Sequence, residues 1–247
     1  MKQNNWKNNW KNIWEKRDDR LSHINLSDTK EVFLELKRLD GYDIADGGIP
    51  YDDLLKQYQL TFKHLGINSG GGVYGSVFEV GCGSGANLYL FKKDGVTVGG
   101  IDYSQKLIDI LKKVFDDGDL KECICGEAIE CPVDTKYDAV FSDSVFHYFP
   151  DLNYAVEVME KMVEKSRYSI GITDVYDIDK KQDYLDWRIK NDENYEERYK
   201  DLPKLFYSRK FFEDFAQENN LKIDFVDINM AGYWNNDFTF NCFMYKR

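Results

Sequence analysis

The stretch SVFEVGCGSGANLYLFKKDG, Ser76–Gly95, changes character twice. SVFEV is a β-rich apolar run of the length of a buried strand. Gly81, Gly83 and Gly85 follow within five positions and break it. ANLYLFKKDG then reads as a helix closed at Gly95. A glycine loop that follows a strand and opens a helix lies at the strand's carboxyl end, where an open α/β sheet meets its ligand. A second cluster, Gly70-Gly71-Gly72-Val73-Tyr74-Gly75, spells G-x-G-x-x-G but precedes the strand. It enters from the wrong end to cradle a ligand and reads as a flexible turn.

Outward from this stretch, strands and helices alternate. VTVGGID, KECICGEA, YDAVFSDSV and RYSIGITDV read as strands. SQKLIDILKKVFDDG and DLNYAVEVMEKMVEKS read as helices between them. Such alternation predicts a mostly parallel sheet with helices on both faces. The last two strands, LKIDFVDIN and FTFNCFMYKR, are joined by too short a loop for a crossover helix, which predicts an antiparallel β-hairpin. SRKFFEDFAQENN precedes them as a helix with Ser208 as its cap.

Residues 1–65 predict a helical N-terminal cap. Trp6, Trp10 and Trp14 recur at helical spacing, DTKEVFLELKRL carries an Asp28 or Ser27 cap, and YDDLLKQYQLTFKHLGI closes near Gly66. DGYDIADGGIP is a turn-rich break between them. Residues 176–208 are highly charged with interspersed aromatics and predict a helical insertion or lid. The expectation is therefore an α/β chain: cap 1–65, then a Rossmann-like domain 66–247 with a seven-stranded sheet.

Composition narrows the partners. The 247 residues carry a formal net charge of -11, and 43% are hydrophobic. An acidic surface repels phosphate backbones, which argues against nucleic acid as substrate. No apolar run approaches the roughly 20 residues of a membrane span. The polar N-terminus does not read as a signal peptide, so a cytoplasmic protein is expected. The five cysteines, Cys82, Cys123, Cys125, Cys131 and Cys242, match neither a disulfide framework nor a zinc spacing, and no metal is expected.

The loop's spelling decides its chemistry. A Walker loop needs a lysine that is missing here. A dinucleotide fingerprint needs G-x-G-x-x-G, and the loop spells G-x-G-x-G. Glu79 just before it is a poor neighbour for pyrophosphate and a good one for a cationic, phosphate-free ligand. FEVGCGSG resembles the first motif of the class I S-adenosylmethionine-dependent methyltransferase family. GGIDYS resembles the second, with Asp102 following Gly81 by 21 residues. CGEAIECP resembles the adenine loop, with Glu127 where Asp is commoner. YDAVFSDSVFHYFPD resembles the motif after the fourth strand, with His147-Tyr148 in place of His-His. The resemblance covers about residues 73 to 174.

The resemblance implies S-adenosyl-L-methionine as methyl donor and S-adenosyl-L-homocysteine as product. Gly81, Cys82, Gly83 and Gly85 would let the backbone approach the methionine part and ribose, with loop N–H groups available to its carboxylate. Glu79 would face the amino group, and Asp102 would accept the ribose hydroxyls. Tyr103 would lie along the adenine, with Glu127 and Ala128 at its edge. Ser142, Asp143 and Ser144 would line the floor near the sulfonium. Trp14, Arg17 and Trp10 from the cap would reach the methionine end.

The implied reaction is in-line methyl transfer to a small-molecule acceptor on oxygen or nitrogen, a polar or sugar-like metabolite being expected. It works by proximity and orientation. His147 is the candidate base, as one of three histidines and the one after the fourth strand. Tyr148, Tyr184, Trp187, Tyr207, Tyr233 and Trp234 are candidates for the acceptor pocket. Aminopropyl transfer and a non-catalytic cofactor-binding subunit are the alternatives.

Overall fold

The computed structural model describes residues 5–42, 44, 48–67, 75–227 and 229–247, without the side chains of residues 5–8 and 198. The first glycine cluster up to Tyr74 and the Trp6 side chain lie outside the described residues. So does part of the DGYDIADGGIP break.

The sheet is built from β1 (Ser76–Val80), β2 (Thr97–Asp102), β3 (Leu120–Cys125), β4 (Tyr137–Asp143), β5 (Ser166–Tyr176), β6 (Leu221–Val226) and β7 (Thr239–Lys246). Their spatial order is β3-β2-β1-β4-β5-β7-β6. All neighbours run parallel except at β7, which pairs antiparallel with both β5 and β6. The predicted seven-stranded sheet and closing hairpin are therefore present. The strand order reverses between β1 and β4, which opens a crevice at their carboxyl ends.

Both faces are covered. On one face lie α2 (Thr29–Leu39), α3 (Tyr51–His64), α4 (Ala86–Lys93) and α5 (Gln105–Val114). On the other lie α6 (Leu152–Lys165) and α9 (Arg209–Glu218), the latter capped by the Ser208 hydroxyl. The cap does not keep a core of its own. Val32, Phe33 and Leu36 of α2 and Leu54 and Tyr58 of α3 join Leu88 and Phe91 of α4 in one apolar cluster. Asp28, rather than Ser27, starts α2 by accepting the Lys30 and Glu31 N–H groups.

The predicted insertion contains α7 (Lys181–Asn191) and α8 (Tyr195–Tyr199). A separate aromatic cluster of Tyr176, Tyr184, Phe206 and Phe238 anchors it to the end of β5. The N-terminal α1 (Asn5–Trp14) reaches over to it. Trp10 Nε1 donates to the Pro203 carbonyl at 3.3 Å, and Asn9 donates to that of Asp201 at 3.2 Å. Cap and insertion thus meet above the carboxyl ends of the strands.

Two polar contacts fix α2 to the sheet. Ser84 N donates to Asp40 Oδ1 at 2.7 Å and Ser84 Oγ to the Leu36 carbonyl at 3.0 Å, which ties the glycine loop to the helix end. Lys37, 2% exposed, meets Asp143 Oδ2 at 3.2 Å at the end of β4. Burial alone would raise Asp143, but the Lys37 ammonium, with the Thr173 hydroxyl and Asn87 amide, holds it below the ordinary carboxylate range. Its stabilising contribution is present above the unfolded-state value near 3.9 and is lost as pH falls through the lower folded one. Lys37→Met should lower the unfolding free energy by about 2–4 kcal/mol at neutral pH, since one buried ion loses its partner. The deficit should shrink in acid and in the Lys37→Met/Asp143→Asn double variant. Chemical denaturation of the three variants measures this; an additive double variant would show that the two side chains are not coupled.

Candidate active site

The glycine loop is shaped by the protein around it. Gly81 and Gly83 adopt φ of 76° and 53°, a region that disfavours side chains. A Cβ on Gly81 would stand 2.3 Å from Val145 Cγ2, and one on Gly83 would stand 2.4 Å from Asp40 Oδ1. One on Gly85 would meet Leu111 of α5 at 2.9 Å. The glycines therefore make room for protein atoms, where the sequence suggests room for a ligand. The loop N–H groups are also engaged. Those of Gly81 and Cys82 donate to the Ile101 carbonyl, that of Gly83 to Asp102 and that of Ser84 to Asp40. That of Gly85 donates to the Cys82 carbonyl.

A cavity of about 580 Å³ opens beside this loop at the ends of β1, β2 and β4. Glu79, Gly81, Cys82, Gly83, Asp102, Tyr103, Glu127, Ala128, Asp143, Ser144 and Trp14 all line it. Asp102 Oδ1 accepts Ser104 N at 2.8 Å and Oδ2 accepts Gly83 N at 2.9 Å. Each carboxylate oxygen has two lone pairs, so each keeps one for a ligand hydroxyl. Burial pushes Asp102 up to about 6, with these two N–H groups opposing it. It is ionised at neutral pH.

Glu79 is 2% exposed. Its Oε1 accepts Asn87 Nδ2 at 2.8 Å, while Oε2 is buried with no hydrogen-bond partner among the described residues. Burial raises this carboxyl well above its ordinary range, despite the Asn87 hydrogen bond. An orphaned carboxylate oxygen inside a cavity fits a donor such as an ammonium. The Tyr103 hydroxyl is likewise buried without a hydrogen-bond partner among the described residues. Glu127 and Glu130 form a reciprocal capping box that holds the loop after β3 at the cavity rim. The donor set matches an adenosyl amino acid: two carboxylates for hydroxyls and an amine, and an aromatic residue beside them.

A second cavity, of about 470 Å³, adjoins the first. Trp10, Trp14, Asp40, Tyr42, Ser144 and Tyr148 line both. Ser144 follows β4 and Asp174 lies near the end of β5, each just past the register pair Asp143–Thr173, and both have φ of 57°. Left-handed residues other than glycine hold strain of about 1–3 kcal/mol each and persist only where surroundings impose them. Here Ser144 Oγ donates to Asp174 Oδ2 at 2.6 Å, Tyr233 donates to the same oxygen at 2.8 Å, and Asn241 Oδ1 accepts Asp174 N at 2.8 Å. Tyr42 extends the chain through Ser144 at 2.8 Å.

His147 lines the second cavity and is 2% exposed. Burial, reinforced by the Lys204 ammonium, holds it well below the ordinary imidazole range, with a hydrogen bond to the Asp174 backbone opposing. Nδ1 has no partner among the described residues. A neutral imidazole that donates through one nitrogen carries its lone pair on the other. Burial pushes Lys204 down to about 7, Arg188 adding to the effect.

The remaining predicted residues divide. Tyr148, Tyr233, Trp234 and Arg17 line the second cavity, so Arg17 stands on that side of Trp14. Tyr207 lines neither cavity: it is 1% exposed and its hydroxyl donates to the Phe146 carbonyl. Ser142 is fully buried and ties β4 to β1 through the Val80 carbonyl. Tyr184 and Trp187 support the insertion behind Trp234, which stacks on Trp187 at 4.6 Å. Lys37, Asp40, Tyr42, Asn87, Asp174, Arg188 and Lys204 line the cavities without having been expected. Asp174 alone carried a signal, as an acid at the end of a predicted strand.

Residues 78–168 match a family model described as a methyltransferase domain. A malonyl-[acyl-carrier protein] O-methyltransferase of Priestia megaterium is 28% identical over 93 residues, 36% of this chain. The match spans 33% of that relative's length. Among solved structures, geranyl diphosphate C-methyltransferase from Streptomyces coelicolor A3(2) aligns over 97% of this chain and 96% of its own, at 15% identity and a TM-score of 0.63. Magnesium protoporphyrin IX methyltransferase from Synechocystis PCC 6803 aligns over 80% and 85%, at 13% identity and a TM-score of 0.59. That model spans the glycine loop and the strands that follow, so residues 78–168 are similar to a methyltransferase domain, and the fold of the whole chain is shared with solved methyltransferases.

Proposed function

We propose that the protein transfers a methyl group from S-adenosyl-L-methionine to a small-molecule acceptor held in the second cavity. The observation that carries this reading is the pair of buried carboxylates, Glu79 and Asp102, on either side of a glycine loop in one cavity. Glu79 Oε2 takes the amino group, and Asp102 takes the ribose hydroxyls. Tyr103, Glu127 and Ala128 frame the adenine, while Trp14 and Ser144 stand where the two cavities join. When bound, the donor supplies an electrophilic methyl on a sulfonium and departs as the thioether. The bond from sulfur to methyl breaks as the bond from acceptor to methyl forms. The protein's part is to align the two atoms and exclude water, which Trp10, Trp14 and Tyr148 do as walls common to both cavities.

An acceptor oxygen or nitrogen gives up a proton in this step. His147 is the proposed base, supported by its neutral ring, by an Nδ1 without a partner among the described residues, and by its place in the lining of the second cavity. A cytoplasmic location and an acceptor that is neither nucleic acid nor membrane complete the reading. Among the described residues no helix is long and apolar enough to cross a membrane.

S-Adenosylhomocysteine should raise the melting temperature and NAD should not. Labelled methyl from the donor should then appear in a small-molecule fraction of a cell extract. Stabilisation by NAD alone would overturn the reading. Asp102→Ala should weaken S-adenosylhomocysteine binding by about tenfold or more, the scale of lost charge-assisted hydrogen bonds. In the wild type that affinity should fall as pH drops through about 6, where Asp102 takes up a proton and stops accepting. Calorimetry across pH reads both effects; a pH-independent affinity lost equally at all pH values would assign Asp102 a purely structural role. His147→Asn should slow turnover by about a hundredfold with donor affinity retained. Unchanged turnover would remove His147 as the base.

A further inference from the structure

The acceptor cavity holds cations that the proposed methyl transfer does not use. Lys204 and Arg188 both line it, and both come from the insertion. Each is already packed on aromatic faces. Lys204 Nζ lies 4.6 Å from the Tyr176 ring centre and 5.8 Å from that of Trp10. The Arg188 guanidinium lies 4.8 Å from Tyr199 and 5.0 Å from Trp234. The aromatic walls are thus occupied by the protein's own positive charges. A cationic guest would find these faces taken and two like charges beside it.

Lys204 forms no ion pair among the described residues. Its one hydrogen-bond acceptor among the described residues is the neutral Tyr176 hydroxyl at 2.9 Å. The groups that face it are Arg188, Asp174, His147, Tyr148 and Tyr176. Of these only Asp174 is acidic, and its carboxylate is bonded to Ser144, Tyr233 and Asn235. Arg188 has Asp192 at 3.7 Å. Two adjacent ammonium and guanidinium groups in a buried cavity of an acidic protein form a receptor for an anion. The fall of Lys204 toward neutrality is what an ammonium does when that anion is missing.

On the reading of this cavity as the acceptor site, we propose that the acceptor is a flat organic acid. Its anionic group, a carboxylate or phosphate ester, sits between Lys204 and Arg188, with its ring against Tyr233, whose face carries no cation among the described residues. Its nucleophilic atom then faces Ser144, where the two cavities meet. The anion is the handle, and the methyl goes to a different atom.

Calorimetry on the protein, with and without S-adenosylhomocysteine, tests this with benzoate, phenyl phosphate, methyl benzoate and benzylamine as probes. One or both acids should bind, and the ester and the amine should bind at least about tenfold more weakly. The tighter acid identifies the anionic group as carboxylate or phosphate. Near pH 8, acid binding should take up protons as Lys204 is recharged, and Lys204→Met should abolish that uptake. Lys204→Met and Arg188→Gln should each weaken acid binding by about tenfold while circular dichroism stays native. An ester or amine that matches the acids, no binding of either acid, or undiminished binding of the acids to folded Lys204→Met overturns the proposal. Failure of S-adenosylhomocysteine to bind, with the acid still bound, would overturn the methyl-transfer reading and leave the anion site standing.

Discussion

The contact between Lys37 and Asp143 joins the N-terminal cap to the point where the sheet reverses its strand order. A carboxylate at the end of β4 would be poorly tolerated in a dry crevice without a counterion. The helix that supplies the ammonium also ends at Asp40, which holds the Ser84 N–H of the glycine loop. One helix thereby sets both the charge balance and the shape of the site's floor. The cap is thus part of the site's construction, as the shared apolar cluster of α2, α3 and α4 also indicates.

The glycine loop carries its meaning differently from what its spelling suggests. Its three glycines relieve contacts with Val145, Asp40 and Leu111, and its N–H groups are spent inside the protein. What the loop offers a ligand is a fixed surface between two acids. Asp102 is oriented by Gly83 N, and Glu79 by Asn87 from the helix the loop opens. The rigidity of that arrangement preorganises the carboxylates, which reduces the ordering that binding would otherwise require.

Much of this was legible in the chain, for a physical reason. Alternating strands and helices are local patterns, and Gly81, Asp102 and Glu127 follow strands directly, so their place at the sheet's carboxyl edge is fixed by short-range structure. The second cavity was legible only in outline. Lys37 sits on an ordinary amphipathic helix, and nothing in its neighbours marks it as the one cation turned inward. Lys204 lies in a charged segment among residues that are mostly solvated. Tyr207 shows the converse: its position within the predicted lid suggested a pocket residue, yet its hydroxyl donates to the Phe146 carbonyl. Long-range packing decides such cases, and side-chain direction there is invisible to periodicity.

The partition between the two cavities is made of side chains. Trp10, Trp14 and Tyr148 present one surface to each cavity, and Trp10 packs on Tyr148 with ring centres 4.6 Å apart. A guest on either side restricts the same three rings. The two occupancies are therefore thermodynamically linked, and whatever factor one guest imposes on the other's affinity must be returned in equal measure. A wall held in common makes the chamber for one ligand an instrument that senses the other.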